Sequence, residues 1–162
     1  MKLLLLHTLR PLLCFMLDYS LITDPNDLAL KSMAAAVSGP GWWRVPEVVR
    51  ALKDVLKKTK GVGIAAPQIG VNLRIFMLYD GSVFINPSLA AMRGNKKRGV
   101  EGCLSVPGKF LEIGRYQSVK ITYQDVDRKA QFDECGGLDA VIVQHEMDHL
   151  NGRLITHYEE ER

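Results

Sequence analysis

The strongest constraint on the fold is a pair of histidines, His145 and His149, that stand four residues apart, with Glu146 directly after the first. They lie in the segment LDAVIVQHEMDHL, which is predicted to form a helix ended by Asn151 and Gly152. Residues four apart share one face of a helix, so both imidazoles can reach one ion and Glu146 can reach the water beside it. This spacing is typical of metal hydrolases, and the alternative is a chance match on a solvated helix.

Apolar residues continue the histidine face toward the start of this helix, at Leu138, Val141 and Ile142. This pattern predicts that the two histidines lie on the buried side of the helix. A buried pair of imidazoles without an ion would be costly, because each ring would need its own polar partner. The pattern therefore favours a metal site over a solvated face.

A third protein ligand is needed, because catalytic centres of the zinc type use three. Downstream of the helix the candidates are His157 and the glutamates at 159–161, whereas upstream Cys103 lies in the tight segment EGCLSVPG. An odd, sparse set of three cysteines disfavours a disulfide framework and favours a metal or catalytic thiol. Cys14 lies in the N-terminal stretch, and Cys135 is expected to be a small buried hydrophobe.

The other elements indicate an α+β fold. An amphipathic helix is predicted from Pro46 and is expected to stop at Gly61. Short apolar runs at 73–79 and 83–86, separated by an Asp-Gly turn, predict a β-hairpin, and alternation at 119–123 predicts a half-buried strand. A helix, several short strands and a second helix in this order are typical of α+β folds rather than of βαβ arrays.

Length and composition predict one folded domain over residues 21–162, preceded by an extension at 1–20. The formal charge of +3 is too small to indicate a nucleic-acid partner. The extension is rich in leucine and has no acid before Asp18, but Arg10 and Pro11 interrupt it, so no membrane span is predicted. We expect it to be either an organelle leader or a packed or frayed extension.

Three segments together resemble the motifs of the peptide deformylase family, which have the forms GxGxAAxQ, EGCxS and HExxH. They are GVGIAAPQ at 61–68, EGCLS at 101–105 and HEMDH at 145–149, in the family's order and spacing. The resemblance extends from about residue 24 to residue 154, and VFINPSL and RYQSVKI are more similar to organelle-type members than to the common bacterial form. It implies small antiparallel sheets around a central helix that carries the HExxH motif.

The resemblance also implies the roles of the motif residues. Cys103, His145 and His149 would be the ligands of one divalent metal ion, and Glu146 would be the general base and acid. Ferrous iron is the implied physiological ion, with zinc, nickel or cobalt as substitutes.

Two groups are implied to stabilise the negative charge that develops on the carbonyl oxygen. They are the side-chain amide of Gln68 and the backbone N–H of Leu104. An ordinary turn amide and an ordinary core leucine are the alternatives.

A binding pocket for the substrate's methionine is implied as well. Gly63, which lacks a Cβ, would let the peptide backbone approach closely. Val62, Leu138, Val141 and Ile142 would form the apolar pocket, although core residues would have the same pattern.

The implied function is hydrolysis of the N-formyl group of formyl-methionine at the start of nascent peptides, with release of formate. The alternatives are an inactive, metal-holding paralogue and a zinc endopeptidase. The expected partners are formyl-methionyl peptides, with transient proximity to the ribosome and no direct nucleic-acid contact. A mitochondrion or a similar organelle is the expected location, with the bacterial cytoplasm as the alternative.

Three departures from the family pattern affect these expectations. The turn at 80–82 is shorter than usual and SGPGWW resembles an insertion, so we expect an altered active-site rim. The sequence ends in EEER, so the long C-terminal helix of bacterial members is not expected and ribosome docking is not implied.

Overall fold

The computed structural model describes residues 19–160. Most of the predicted leader, including Cys14, and the last two residues of the EEER tail lie outside this range. Tyr19, at the end of the predicted extension, packs against the core and donates a hydrogen bond from its hydroxyl to Glu47 Oε1 (2.9 Å). Within the described residues, no helix is both long enough and apolar enough to cross a membrane.

Residues 19–160 contain four α-helices, two short 3-10 helices and five strands. The α-helices are α1 Leu28–Lys31, α2 Val45–Thr59, α3 Gly137–Leu150 and α4 His157–Glu160. The 3-10 helices are Gly39–Arg44 and Ala66–Ile69. The strands are β1 Gly63–Ala65, β2 Ile75–Leu78, β3 Val83–Cys103, β4 Val106–Gln124 and β5 Ala130–Gly136.

The five strands form one antiparallel sheet in the order β1-β2-β3-β4-β5, which confirms the α+β prediction. The Asp-Gly turn joins β2 to β3 as expected. Gly81 adopts φ +90°, and the Leu78 N–H donates a hydrogen bond to the carbonyl of Ser82 across the turn (3.0 Å). β3 and β4 are much longer than the predicted strands, with 21 and 19 residues. All of residues 92–100 are exposed, so this stretch lacks the alternation of buried and exposed residues by which a strand is recognised.

Helix α2 follows the predicted apolar spacing and buries one face against the sheet. The expected stop at Gly61 was wrong by one residue, because Lys60 takes the left-handed conformation (φ +55°). Gly61 meets a different constraint, since a Cβ there would lie 2.8 Å from Leu104 Cδ1. The buried residues of the helix are Val45, Val48, Ala51, Leu52, Val55 and Leu56.

Helix α3 packs on the sheet and ends at Asn151 and Gly152 (φ +70°), as predicted. Ile142 is buried and Val141 is half-buried, but Leu138 is 63% exposed, so the expected apolar face does not extend to the first turn. The first turn borders an open cavity instead of the sheet. Cys135 was expected to be buried, but it is half-buried and packs against the apolar cluster that contains Ile142 and Val119.

Candidate active site

Three side chains from two elements meet in one buried cluster. Cys103 ends β3, whereas His145 and His149 lie on α3, and their ligand atoms all lie within 4.8 Å of one another. The distance from Cys103 Sγ to His149 Nε2 is 3.3 Å. A thiolate and two imidazoles at this separation suit a divalent ion with tetrahedral preference, and they leave room for a fourth ligand. The donor set therefore fits the metal that the sequence predicts.

The protonation states of the two imidazoles differ. Burial, together with the nearby His145 and Arg115, lowers the pKa of His149 well below its usual value, so this ring is neutral and its nitrogen is free to bind an ion. Burial also lowers the pKa of His145, but hydrogen bonds with Cys103 and Glu101 outweigh it and raise the pKa to about 10. Because metal ligands bind in the deprotonated form, metal binding displaces this proton.

A carboxylate behind the cluster orients His145. Glu101 Oε2 lies 3.0 Å from His145 Nδ1, so a bond donated by Nδ1 leaves Nε2 for the ion. Arg115 holds both oxygens of this carboxylate, with Nε donating to Oε1 (2.8 Å) and Nη2 to Oε2 (2.9 Å). Burial alone would raise the pKa of Glu101, but hydrogen bonds from His145 and Arg115 lower it, so the carboxylate stays charged.

The support extends to the C-terminal part of the chain. Arg115 Nη1 donates to Asp148 Oδ2 (2.7 Å) and to the Tyr158 hydroxyl (2.9 Å), and that hydroxyl donates to Asp148 Oδ2 (2.8 Å). Sequence reasoning gave none of these residues a role, and it gave none to Glu101. The sequence contained one signal for Arg115. It lies two residues after the buried Ile113 on β4, so both side chains point to the same, inner face of the sheet.

Glu146 lies beside the ligand cluster and is fully buried. The pKa of its carboxyl is raised to about 7, and burial is the strongest of the several effects that shift it. Its Oε2 atom has no hydrogen-bond partner within the described residues. Gly63 of β1 faces this carboxylate, and a Cβ there would overlap Glu146 Oε1. The carboxyl can therefore exchange a proton near neutral pH with a molecule bound in the cavity beside Gly63.

Gln68 and Leu104 both line the cavity over the ligand cluster. Gln68 is buried in the 3-10 helix, where its Oε1 accepts from Ala65 N–H (2.9 Å) and its Nε2 donates to Ser105 Oγ (3.1 Å). These two bonds fix the amide so that Nε2 keeps a second N–H for the cavity. Leu104 lies in the turn between β3 and β4, next to Cys103.

The cavity over the cluster has a volume of about 410 Å³. The five residues expected to bind the substrate all line it, and so do two exposed apolar residues that sequence reasoning missed, Val100 and Phe110. Neither the SGPGWW segment nor the 80–82 turn lines this cavity. The expectation that these two segments alter the active-site rim is therefore not met. The five residues are Val62, Gly63, Leu138, Val141 and Ile142.

Comparisons with known proteins indicate one family. Residues 19–162 match the family model of polypeptide deformylase. A peptide deformylase of Dictyoglomus thermophilum is 41% identical over 115 residues, which cover 69% of this chain and 74% of the relative. A peptide deformylase of Saccharophagus degradans is 37% identical over 147 residues, covering 85% and 83%.

Solved structures are similar over most of the chain. The crystal structure of peptide deformylase from Thermotoga maritima has a TM-score of 0.80 at 31% identity and covers 86% of this chain and 95% of that one. A peptide deformylase from Synechococcus elongatus in complex with actinonin has a TM-score of 0.78 at 33% identity, covering 84% and 75%.

Proposed function

The chain belongs to the polypeptide deformylase family, and we propose that Cys103, His145 and His149 bind the metal ion of this enzyme. The enzyme hydrolyses the N-formyl group of formyl-methionine at the start of peptides and releases formate. One observation carries the assignment of residues: Cys103, His145, Glu146 and Gln68 line one cavity, and the buried His149 completes the ligand cluster beside it.

The donor set supports a divalent ion of borderline softness, and we assign ferrous iron as the physiological one. A thiolate with two imidazoles also suits zinc, nickel and cobalt, so the choice depends on metal availability as well as on the ligands. When bound, such an ion supplies Lewis-acid activation of the water and the carbonyl.

Glu146 moves the protons of the reaction. Its carboxylate accepts a proton from the attacking water, whose oxygen bonds to the formyl carbon. When the carbon–nitrogen bond breaks, the same carboxyl returns the proton to the amine nitrogen, and formate and the free N-terminus leave. A pKa of about 7 suits both directions of transfer near neutral pH.

Gln68 and Leu104 stabilise the negative charge on the carbonyl oxygen. The N–H of Gln68 Nε2 and the backbone N–H of Leu104 donate to this oxygen, in an arrangement where each donor is worth about 2.7–4 kcal/mol. Gln68 is held by its bonds to Ala65 and Ser105, so it does not need to reorganise during the reaction.

The peptide lies along the free edge of β1. This strand pairs with β2 on one side only, so its other edge can accept an extended backbone. Gly63 permits the close approach, and the methionine side chain enters the apolar part of the cavity between Val62 and helix α3.

We assign the protein to an organelle of bacterial ancestry, where synthesis starts with formyl-methionine, and expect transient proximity to the ribosome. The support is the absence of acidic residues before Asp18 and the free cysteines, which such a compartment keeps reduced. A reporter fused to residues 1–20 tests the location: import into mitochondria is expected, and a reporter left in the cytosol would refute the assignment.

The reaction itself is tested by incubating the protein with a formyl-methionyl tripeptide and, separately, with a longer internal peptide. Formate release from the first without cleavage of the second is expected. Cleavage of the internal peptide would indicate an endopeptidase, and metal binding without either product would indicate an inactive paralogue.

A further inference from the structure

A second groove opens beside the active-site cavity, between the C-terminal half of α2 and the turn that joins β2 to β3. Its volume is about 420 Å³. Lys60 and Gly61 line both the groove and the active-site cavity, so the two are adjacent at this point. A substrate that extends beyond the reacting end and passes Lys60 therefore reaches the groove.

Three exposed lysines line this groove, at Lys53, Lys57 and Lys60. The spacing of four and then three residues places them on one stripe of α2 and its end. Within the described residues, none of the three takes part in an ion pair. The groove also holds Asp80, whose carboxylate accepts from the backbone N–H and the hydroxyl of Ser82 (both 2.9 Å). The groove therefore has an excess of positive charge.

The direction of β1 places this charge downstream of the reacting group. Gln68 follows the end of β1 and Lys60 precedes its start, so the two residues lie at opposite ends of the strand. A peptide whose formyl group is at Gln68 and Cys103 points its later residues toward Lys60. Since an extended chain rises about 3.3 Å per residue, the three residues of β1 match about the first three of the peptide.

We propose that this lysine groove binds acidic side chains at about positions three to five of the formylated peptide and so gives the enzyme a preference for acidic N-terminal segments. The inference rests on the proposed active site. The occupant is the formylated peptide, because the groove adjoins the substrate cavity at Lys60 and Gly61.

The test compares three peptides: formyl-Met-Ala-Asp-Asp-Asp, the corresponding Lys-Lys-Lys peptide and a neutral Ala-Ala-Ala peptide. An exposed charge pair changes an equilibrium about 1.4- to 5-fold, so two pairs give a KM about tenfold lower for the acidic peptide than for the basic one. The value of kcat should stay within about twofold, because the reacting groups are unchanged. The preference should shrink as salt rises from about 0.01 M to about 1 M.

The double variant Lys53→Glu/Lys57→Glu should reverse the preference. The matched control is Arg50→Glu/Lys58→Glu, which makes the same change in net charge at exposed positions of the same helix that do not line the groove. The control should keep the preference of the unchanged protein. A thermal unfolding measurement on both variants checks that the fold is retained.

Equal KM values for the acidic and basic peptides would overturn the inference, and so would an equal effect of the control variant. A loss of affinity for an RNA oligonucleotide in the groove variant, with KM unchanged for all peptides, would assign the groove to nucleic acid instead. Peptide binding is measured by calorimetry in parallel. If no peptide released formate, the proposed function would fail. The calorimetric affinities would still show whether the groove prefers acidic peptides.

Discussion

Replacing Gly63 by alanine tests how closely the active site is packed around Glu146. A Cβ at this position would lie 2.8 Å from Ile142 Cγ2 and 3.0 Å from Glu146 Cδ, and it would overlap Glu146 Oε1. Ordinary carbon contacts begin at about 3.5 Å, so the overlap with Ile142 alone is about 0.7 Å. Gly63 is buried in a strand, and Ile142 is packed in the core, so the Glu146 carboxyl is the group that must move.

The expected loss follows from the size of this displacement. A shift of about 1 Å in a catalytic group can cost about 100-fold, and a general base contributes about 100- to 10,000-fold in total. We therefore expect kcat of Gly63→Ala to fall by at least about 100-fold. The overpacking should also lower the free energy of unfolding, by about 1–3 kcal/mol.

Formate release measured at saturating formyl-methionyl peptide gives kcat, and urea unfolding gives the stability. Gly99→Ala is the matched control: Gly99 lies in β3, and a Cβ there would have no neighbouring atom of residues 19–160 within 4 Å, so this variant should keep the full rate. A Gly63→Ala enzyme with kcat within about threefold of the unchanged protein would refute the packing argument. Equal losses in both variants would do so as well.

Glu146→Gln should retain the metal and the fold but lose about 100- to 10,000-fold in kcat, and a near-normal rate of formate release would remove Glu146 from the mechanism. Cys103→Ser should lose metal during dialysis, because a hydroxyl is a poor ligand near neutral pH, and an unchanged metal content by elemental analysis would point to another ligand. Arg115→Met leaves the Glu101 carboxylate buried without its cation, so urea unfolding should show a loss of about 3–5 kcal/mol, and a loss below about 1 kcal/mol would contradict this. Iron-loaded protein should lose activity in aerated buffer faster than nickel-loaded protein, because oxidation of the Cys103 thiolate removes a ligand, and equal decay rates would exclude this route.

The elements that sequence reasoning identified are those with a local signal. Helix α3 has an apolar pattern and an Asn-Gly end, and the hairpin at Gly81 has a two-residue turn motif. The length of β3 and β4 has no such signal, because residues 92–100 are held by backbone pairing with a partner strand rather than by a buried face. Such pairing depends on contacts distant in sequence, which no short window contains.

The same distinction applies to the site. The proposed metal ligands belong to recognisable motifs, whereas the support of His145 is spread over three parts of the chain. Glu101 pairs with Arg115, 14 residues away, and Arg115 pairs with Asp148, 33 residues away. The pairing of β3 with β4 brings Glu101 to Arg115, and the packing of β4 against α3 brings Asp148 to Arg115. An arginine two residues from the buried Ile113 on the same strand is the feature that indicates an ion-pair partner in advance.

Hydrogen bonding separates the groups that support the site from the group that reacts. The carboxylates of Glu101 and Asp148 are both bonded to Arg115, so their burial is compensated. Glu146 Oε2 has no protein partner within residues 19–160, so no arginine compensates the burial of this carboxyl. Burial without a paired cation disfavours the charged form of the side chain. The same burial raises the pKa of Glu146 to about 7, where a carboxyl both accepts and returns a proton readily. Burial without a paired cation is thus the feature that prepares this carboxyl for proton transfer.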